Sequence, residues 1–191
     1  MFKKLKFLLT SVLWLILLLF IAYCALCILF PVKYADQIIK YSEKYGLEPG
    51  FVCAIINTES RFQTSAESHK GARGLMQLMP DTVDWAVQNM DIENFSYDNI
   101  EDPDVNIEIG CWVLSYLSKQ FDGNYELMAA SYNAGIGNVK KWLGDTKYSS
   151  DGEYLDYIPY AETAGYVKKV IAYEKIYKII LRTDLYEIAS N

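Results

Sequence analysis

One histidine in 191 residues, His69, leaves little room for imidazole chemistry. A serine triad or a cysteine–histidine pair needs that residue, yet no Gly-x-Ser-x-Gly elbow and no local thiol-protease signature accompanies it. His69 is therefore read as a surface side chain. The four cysteines stand at positions 24, 27, 53 and 111, without the spacing of a zinc site, so no metal and no cofactor is expected. Positive charge is scarce where it matters. Of 18 basic residues four precede residue 34, which leaves 14 against 24 acidic ones beyond it, a formal charge of −10. That balance argues against a nucleic-acid partner, which needs a basic face. Strand signals are nearly absent, apart from a small hairpin pattern within 62–78, and no fixed-period repeat occurs.

What the chain does have begins at its start. Lys3, Lys4 and Lys6 precede a run of 24 uncharged residues, Phe7 to Phe30, which ends at Pro31. As a helix that run is about 36 Å long, enough to cross a hydrocarbon core of roughly 30 Å with some tilt. It is long for a signal peptide, and Leu29-Phe30-Pro31 lacks the small residues of a cleavage site. A lipoprotein reading at Cys24 or Cys27 is weakened by the bulky Tyr23 and Leu26. The expectation is a basic cytoplasmic end (1–6), an uncleaved transmembrane helix (7–30), a linker (31–36) and one domain (37–191). The leading lysines place that domain on the extracytoplasmic side of the membrane by the positive-inside bias.

Beyond the linker the pattern is all-α. A helix is predicted from Tyr34 to Tyr45, stopped by Gly46, and another from Pro49 to about Ser60. Pro80 to Asn89 forms a third, and Asp102-Pro103-Asp104 opens a long one with Val105, Ile109, Trp112, Val113, Tyr116 and Leu117 on one face. Asn124 caps a helix to Asn133, with a further turn or two to Gly144. Residues 145–158 read as a polar loop, and a last helix runs from Pro159 to about Arg182. Tyrosines at helical spacing, such as Tyr116 and Tyr173, are read as core or interface. Cys53 and Cys111 fall within helices of the outer domain, where oxidation is open to them, and two buried thiols are expected.

One residue on these helices is out of place. Val52, Ile55, Ile56 and Glu59 share the stripe that a helix turns inward, so Glu59 puts a carboxylate among apolar neighbours. There it must be paired, protonated or used. Its place in the last turn, at the negative end of the helix dipole, pushes its pKa the same way.

Three blocks set Glu59 in a larger pattern: Glu59-Ser60-Arg61-Phe62, then Ser68 with Gly71-Ala72-Arg73-Gly74-Leu75-Met76-Gln77, then Ala129-Ala130-Ser131-Tyr132-Asn133-Ala134-Gly135. A fourth, Ile158-Pro159-Tyr160-Ala161-Glu162-Thr163, is followed by Tyr166-Val167. In order and spacing, over nearly all of 37–182, these resemble the soluble lytic transglycosylase family, which cuts the glycan of peptidoglycan. The resemblance implies a goose-lysozyme-like helical fold with glycan strands as the partner. It implies that Glu59 acts as single catalytic acid and base: it protonates the leaving oxygen and then takes the proton of the muramoyl C6 hydroxyl, giving a 1,6-anhydro end. Ser68 and Gln77 are implied to hydrogen-bond substrate or orient Glu59, with Met76 and Met79 along the sugar groove. Tyr132 and Asn133 are implied near the developing charge, and Glu162 and Tyr166 beside them, with Glu162 contacting substrate or Tyr132. Two readings stay open beside this one: a hydrolytic muramidase using the same acid, and a non-catalytic protein that only holds glycan.

Overall fold

The computed structural model of the chain describes residues 2–90, 92 and 95–182. The end of the expected domain, residues 183–191, lies outside the described residues. Two compact units are present, one ending at Pro31 and the other beginning at Val32. The first is a single helix, α1 (Phe2–Leu29), whose apolar segment Leu9–Leu29 has the length and composition to cross a membrane. Its large side chains, Leu13, Trp14 and Phe20 among them, are exposed.

The second unit is helical: α2 (Ala35–Tyr45), α3 (Pro49–Glu59), α4 (Pro80–Asn89), α5 (Pro103–Gln120), α6 (Tyr125–Ala134), α7 (Ile136–Leu143) and α8 (Ala161–Arg182), with a single 3-10 turn at Tyr97–Asn99. Among the described residues there is no strand. The hairpin pattern in 62–78 comes down to isolated bridges of Arg73 with Glu67 and Leu78, because the two glycines and the Gln77 turn bend the chain before a ladder can extend.

Local chemistry fixes the ends. Gly46 closes α2 at φ 68°, while the Leu47 N–H donates to the Ser42 carbonyl at 2.8 Å, the paired-bond ending that a left-handed residue permits. Pro49 and Pro103 occupy first-turn positions, where the missing N–H is not needed. Asp102 caps α5 through the N–H groups of Asp104 and Val105, and Asn124 caps α6 through those of Glu126 and Leu127.

α3 is the hub. Every residue from Gly50 to Asn57 is buried, and α8 and α2 pack on it. Gly50 lets α8 come close, since a Cβ there would stand 3.1 Å from the Lys178 backbone nitrogen. Phe51 stacks on Tyr125 of α6 at 4.4 Å between ring centres. Ala129 and Ala130 of α6 are fully buried, and α6 packs on α8 and α5. Cys53 and Cys111 are buried free thiols, and burial pushes the Cys53 thiol up to about 12. α5 departs from a one-sided helix: Asn106, Ile107, Cys111 and Leu114 are buried as well as Ile109 and Val113, because α2, α4 and α6 all pack against it.

Candidate active site

The site begins where α3 ends. Glu59 is the last residue of that helix, and the chain turns sharply after it, with Arg61 (φ 52°) and Phe62 (φ 61°) both left-handed. Non-glycine residues tolerate that conformation only where the surroundings impose it. Here Phe62 is buried against Tyr177 at 6.3 Å. Ser60 ties the same turn to the next segment, its hydroxyl donating to the Leu75 carbonyl at 2.7 Å.

Burial raises Glu59 from the ordinary carboxylate range to about 7, against the opposing pull of a Tyr166 hydrogen bond and the Lys169 charge. Tyr166, on α8, donates its hydroxyl to Glu59 Oε1 at 2.7 Å. Lys169 lies one turn further along α8, and burial, with the neighbouring Arg61 charge, lowers its own pKa. Tyr132, on α6, completes the surroundings. Burial and the Glu59 charge hold both tyrosine hydroxyls well above their usual pKa, so both stay neutral donors. Near neutral pH the carboxyl is therefore shared between its two protonation states, the condition under which one group can give and then take a proton.

The stretch 62–79 is clipped in place by Asn106, a buried side chain of α5. Its Nδ2 donates to the carbonyls of Ile100 and Arg73 at 2.8 and 3.2 Å, and its Oδ1 accepts from the Met76 N–H at 2.8 Å. Gly74, at φ 80°, sits directly against this side chain and has no room for a Cβ. Tyr132 makes the second clip, donating to the Met76 carbonyl at 2.8 Å.

Beside this clip runs a cleft of about 440 Å³, lined by Gln77, Met79 and Thr82 on one side and by Tyr116, Ser131 and Tyr132 on the other, with Trp85 among its walls. Glu59 does not itself line the cleft. Tyr132 joins the two, as a wall of the cleft that also feels the Glu59 charge.

The other expected residues fall in different places. Met76 is no part of a groove wall: it is fully buried, its side chain pressed against Gly110 of α5, because the Asn106 and Tyr132 bonds draw its backbone inward. Gln77 lines the cleft at φ 46°, but its Nε2 is spent on the carbonyls of Ala66 and Gly74 at 2.9 and 3.1 Å, so it steadies the turn and the bond to Glu59 comes from Tyr166 instead. The Ser68 hydroxyl likewise accepts from the Ala72 N–H at 3.0 Å within its own turn. Glu162 is exposed in the first turn of α8, and the Tyr132 hydroxyl goes to Met76, not to it. Asn133 accepts from Thr163 at 2.8 Å, joining α6 to α8. Met79 lines the cleft and is 40% exposed.

Other residues were not singled out in the sequence. Lys169 carried one available signal, its position three residues after Tyr166. Tyr116, which its spacing makes core or interface, lines the cleft together with Trp85 and Ser131, which carry no signal of their own. Asn106 had no sequence signal beyond being a polar residue on a mostly apolar helix.

Comparison with known proteins adds lineage to this geometry. The family model described as transglycosylase SLT domain matches residues 36–155. The soluble lytic murein transglycosylase of Escherichia coli strain K12 is 36% identical over 154 residues, 80% of this chain and 24% of that protein. The membrane-bound lytic murein transglycosylase C of Edwardsiella ictaluri is 30% identical over 169 residues, 78% of this chain and 47% of that protein. Among solved structures, an inactive mutant of the lytic transglycosylase Slt of Pseudomonas aeruginosa superposes with TM-score 0.74 at 36% identity, covering 82% of this chain and 26% of that one. The 70 kDa soluble lytic transglycosylase of Escherichia coli gives 0.72 at 34% identity, over 80% and 25% of the two chains. The helical unit thus has the lysozyme-like fold of those enzymes, and the chain spans about a quarter of the length of its soluble relatives.

Proposed function

Because the chain belongs to the transglycosylase SLT domain family, we propose that it is a peptidoglycan lytic transglycosylase, cutting the β-1,4 bond between N-acetylmuramic acid and N-acetylglucosamine. Glu59 is the acid and then the base. Its proton passes to the glycosidic oxygen as the bond to C1 breaks, and the departing sugar leaves with a free hydroxyl. The C6 hydroxyl of the muramoyl ring then bonds to C1 and gives its proton back to the Glu59 carboxylate. The product ends in a 1,6-anhydro ring and no water is consumed. The attacking hydroxyl already belongs to the reacting ring, which removes the entropy cost of bringing in a second reactant.

The observation that carries this reading is Glu59 itself: a carboxyl raised to about 7, held by Tyr166, on which no second carboxylate acts among the described residues. Ordinary glycosidases use two carboxylates, one for the leaving oxygen and one for a water or the sugar carbon. One carboxyl and a nearby cation, Lys169, suit a reaction whose nucleophile is part of the substrate. Tyr166, a neutral donor, holds the group, while the Tyr132 hydroxyl, close enough to feel the Glu59 charge, is bonded to Met76.

The proposed setting is the outer face of a membrane, with α1 as a single-pass anchor, the N-terminus in the cytoplasm and the peptidoglycan glycan strands as partner. The uncharged segment Leu9–Leu29 of α1 and the lysines before that segment support this. The test uses the full chain, solubilised in detergent, on purified peptidoglycan, with the mass of released fragments as readout. Anhydro ends throughout are expected; fragments one water heavier would mark a hydrolytic muramidase. Glu59→Gln is expected to lower the rate by about 10²–10⁴-fold, and an unaltered rate would remove Glu59 from the chemistry. No release by the parent would leave a glycan-holding protein.

A further inference from the structure

Residues 145–158 read as a polar loop in sequence, yet they are knitted to one another. The Asp156 and Tyr157 N–H groups donate to the Tyr148 carbonyl at 2.9 and 3.2 Å, and Asp156 Oδ2 accepts from the Ser150 N–H at 2.7 Å. The rings of Tyr148 and Tyr157 stack at 6.3 Å. So held, the loop forms one wall of a groove of about 660 Å³, in which Leu155, Tyr157 and Ile158 stand across from α8. The groove shares no lining residue with the cleft beside Tyr132. On α8, Lys168 follows Tyr166 by two residues, which turns it to the opposite side of the helix from the bond to Glu59.

α8 is the basic element of an acidic region. Five of the 14 basic residues after position 33 lie on it, against two acids, Glu162 and Glu174. Glu174 is buried, with Lys178 at 3.9 Å. Lys168 and Lys175 are exposed at the groove and have no ion pair among the described residues. Seven residues apart, they share one face about 10.5 Å from each other, and Ile171 lies between them. The acids that reach the groove are already answered. Asp156 takes the Ser150 N–H, and Glu126 stands in the first turn of α6, where the helix dipole favours it.

The complement of that pattern is on the same chain. α2 carries Asp36, Ile39 and Glu43 at the same spacing, i, i+3 and i+7, with both acids exposed and the isoleucine part-exposed. Its other side is covered: Ile38, Tyr41 and Ser42 are buried, and Lys40 and Lys44 turn to Asp104 and Glu108 of α5. Both α2 and α8 pack on α3 with their buried sides, which leaves the two stripes facing outward. We infer that the groove is an interface between copies of the chain, in which α2 of one copy lies along α8 of another, Asp36 and Glu43 on the two lysines and Ile39 against Ile171. Charge complementarity selects this occupant. With a formal charge of −10 beyond residue 33, a second copy approaches where the surface is basic, and α8 is that place. An anionic membrane would meet the same lysines together with Asp151, Glu153 and Asp156 of the loop, which repel it. Each copy carries both stripes, so the contact closes as a two-fold pair, each α2 on the other copy's α8.

The experiment follows the mass of the full chain in detergent micelles by sedimentation over a concentration series at low salt. Two copies are expected at the upper end. Asp36→Lys with Glu43→Lys sets like charges against α8, and Lys168→Glu with Lys175→Glu does the same against α2; each pair is expected to weaken association by at least about tenfold. All four substitutions in one chain reverse both stripes and are expected to bring association back to within about threefold of the parent. An equimolar mixture of the two pairs should recover as well. Recovery guards against misfolding, since a chain damaged on one helix is not mended by further changes on another. α1 is the same in every variant, so equal association throughout belongs to α1 and overturns the groove contact. A parent that stays a single copy at every concentration overturns it too, and gives the basic stripe to a different acidic surface. Loss in both pairs without recovery in the four-substitution chain also defeats the pairing of α2 with α8.

Discussion

The Leu9–Leu29 segment of α1 and the stretch Gly50–Ile56 of α3 are both apolar on every side, yet one is exposed along its length and the other is sealed. α1 shows its leucines and Phe20 outward over Leu9–Leu29, while in α3 everything from Gly50 to Asn57 is hidden. Composition does not separate them; length and partners do. Eleven residues span about 16 Å, too short for a bilayer, and α8 and α2 supply the cover. Leu9–Leu29, at 21 residues, has instead the length and composition to cross a membrane. The comparison also shows what it takes to keep a carboxyl near neutrality. A charge on an apolar helix is tolerated at Glu59 because it sits at the helix end, where Tyr166 and Lys169 reach it.

Placing the same residue in both helices breaks the comparison most sharply. Ile55→Lys puts an ammonium in the middle of α3, where Ile55 is wholly buried and the neighbours are Val52, Ile56 and α8. The expected loss is about 5 kcal/mol or more, seen as the disappearance of a cooperative thermal transition by circular dichroism, with all lytic activity. A melt close to that of the parent would mean that α3 is not the hub it is taken to be. Leu19→Lys, in the middle of α1, is expected to do something different. The charge costs about 2.5–3.5 kcal/mol in a bilayer, so a smaller fraction of the chain should float with vesicles, while activity in detergent and the melting of the second unit stay as they were. Equal damage to the fold from both substitutions would show that α1 is a core helix with an uncharted partner.

Much of this arrangement is legible in the sequence, and the part that is not has a common cause. Proline at a first turn, Gly46 in left-handed backbone and Asp102 and Asn124 as caps are local facts, which is why the helix ends fall where the residue types put them. Glu59 stood out because the period of its neighbours pointed it inward. The direction of a loop side chain is another matter. Met76, Gln77 and Ser68 occupy one turn-rich segment, and whether each faces a ligand or the protein depends on Asn106, about 30 residues away, and on Tyr132, further still. Met76 turned inward for that reason. Tyr116 turned the other way: its helical spacing fits a core position, but α4 arrives with Trp85 and leaves the ring beside the cleft. A period reports which face of a helix is apolar, and tertiary packing decides what that face meets.

The smallest expected effect concerns the hydrogen bond that Tyr166 gives the half-buried acid. Tyr166 donates to Glu59 Oε1 and so favours the charged carboxylate, opposing burial. Tyr166→Phe removes that donor, and Glu59 then holds its proton to higher pH. In the parent, a carboxyl whose pKa is raised above its unfolded value gives stability that is complete below the unfolded pKa, near 4.5, and is lost as pH rises through about 7. With Phe at 166 that loss should begin at the same pH but continue to higher pH and, once complete, be larger, which a series of melting temperatures from pH 5 to 9 will register. The alkaline limb of kcat/KM reports the free enzyme's acid and should move in the same direction, with the plateau reduced by about tenfold as one charge-assisted bond goes. A limb that moved to lower pH would mean that the tyrosine stabilises the protonated acid. In that event Lys169, the remaining charge acting on Glu59, would be the group that favours the carboxylate.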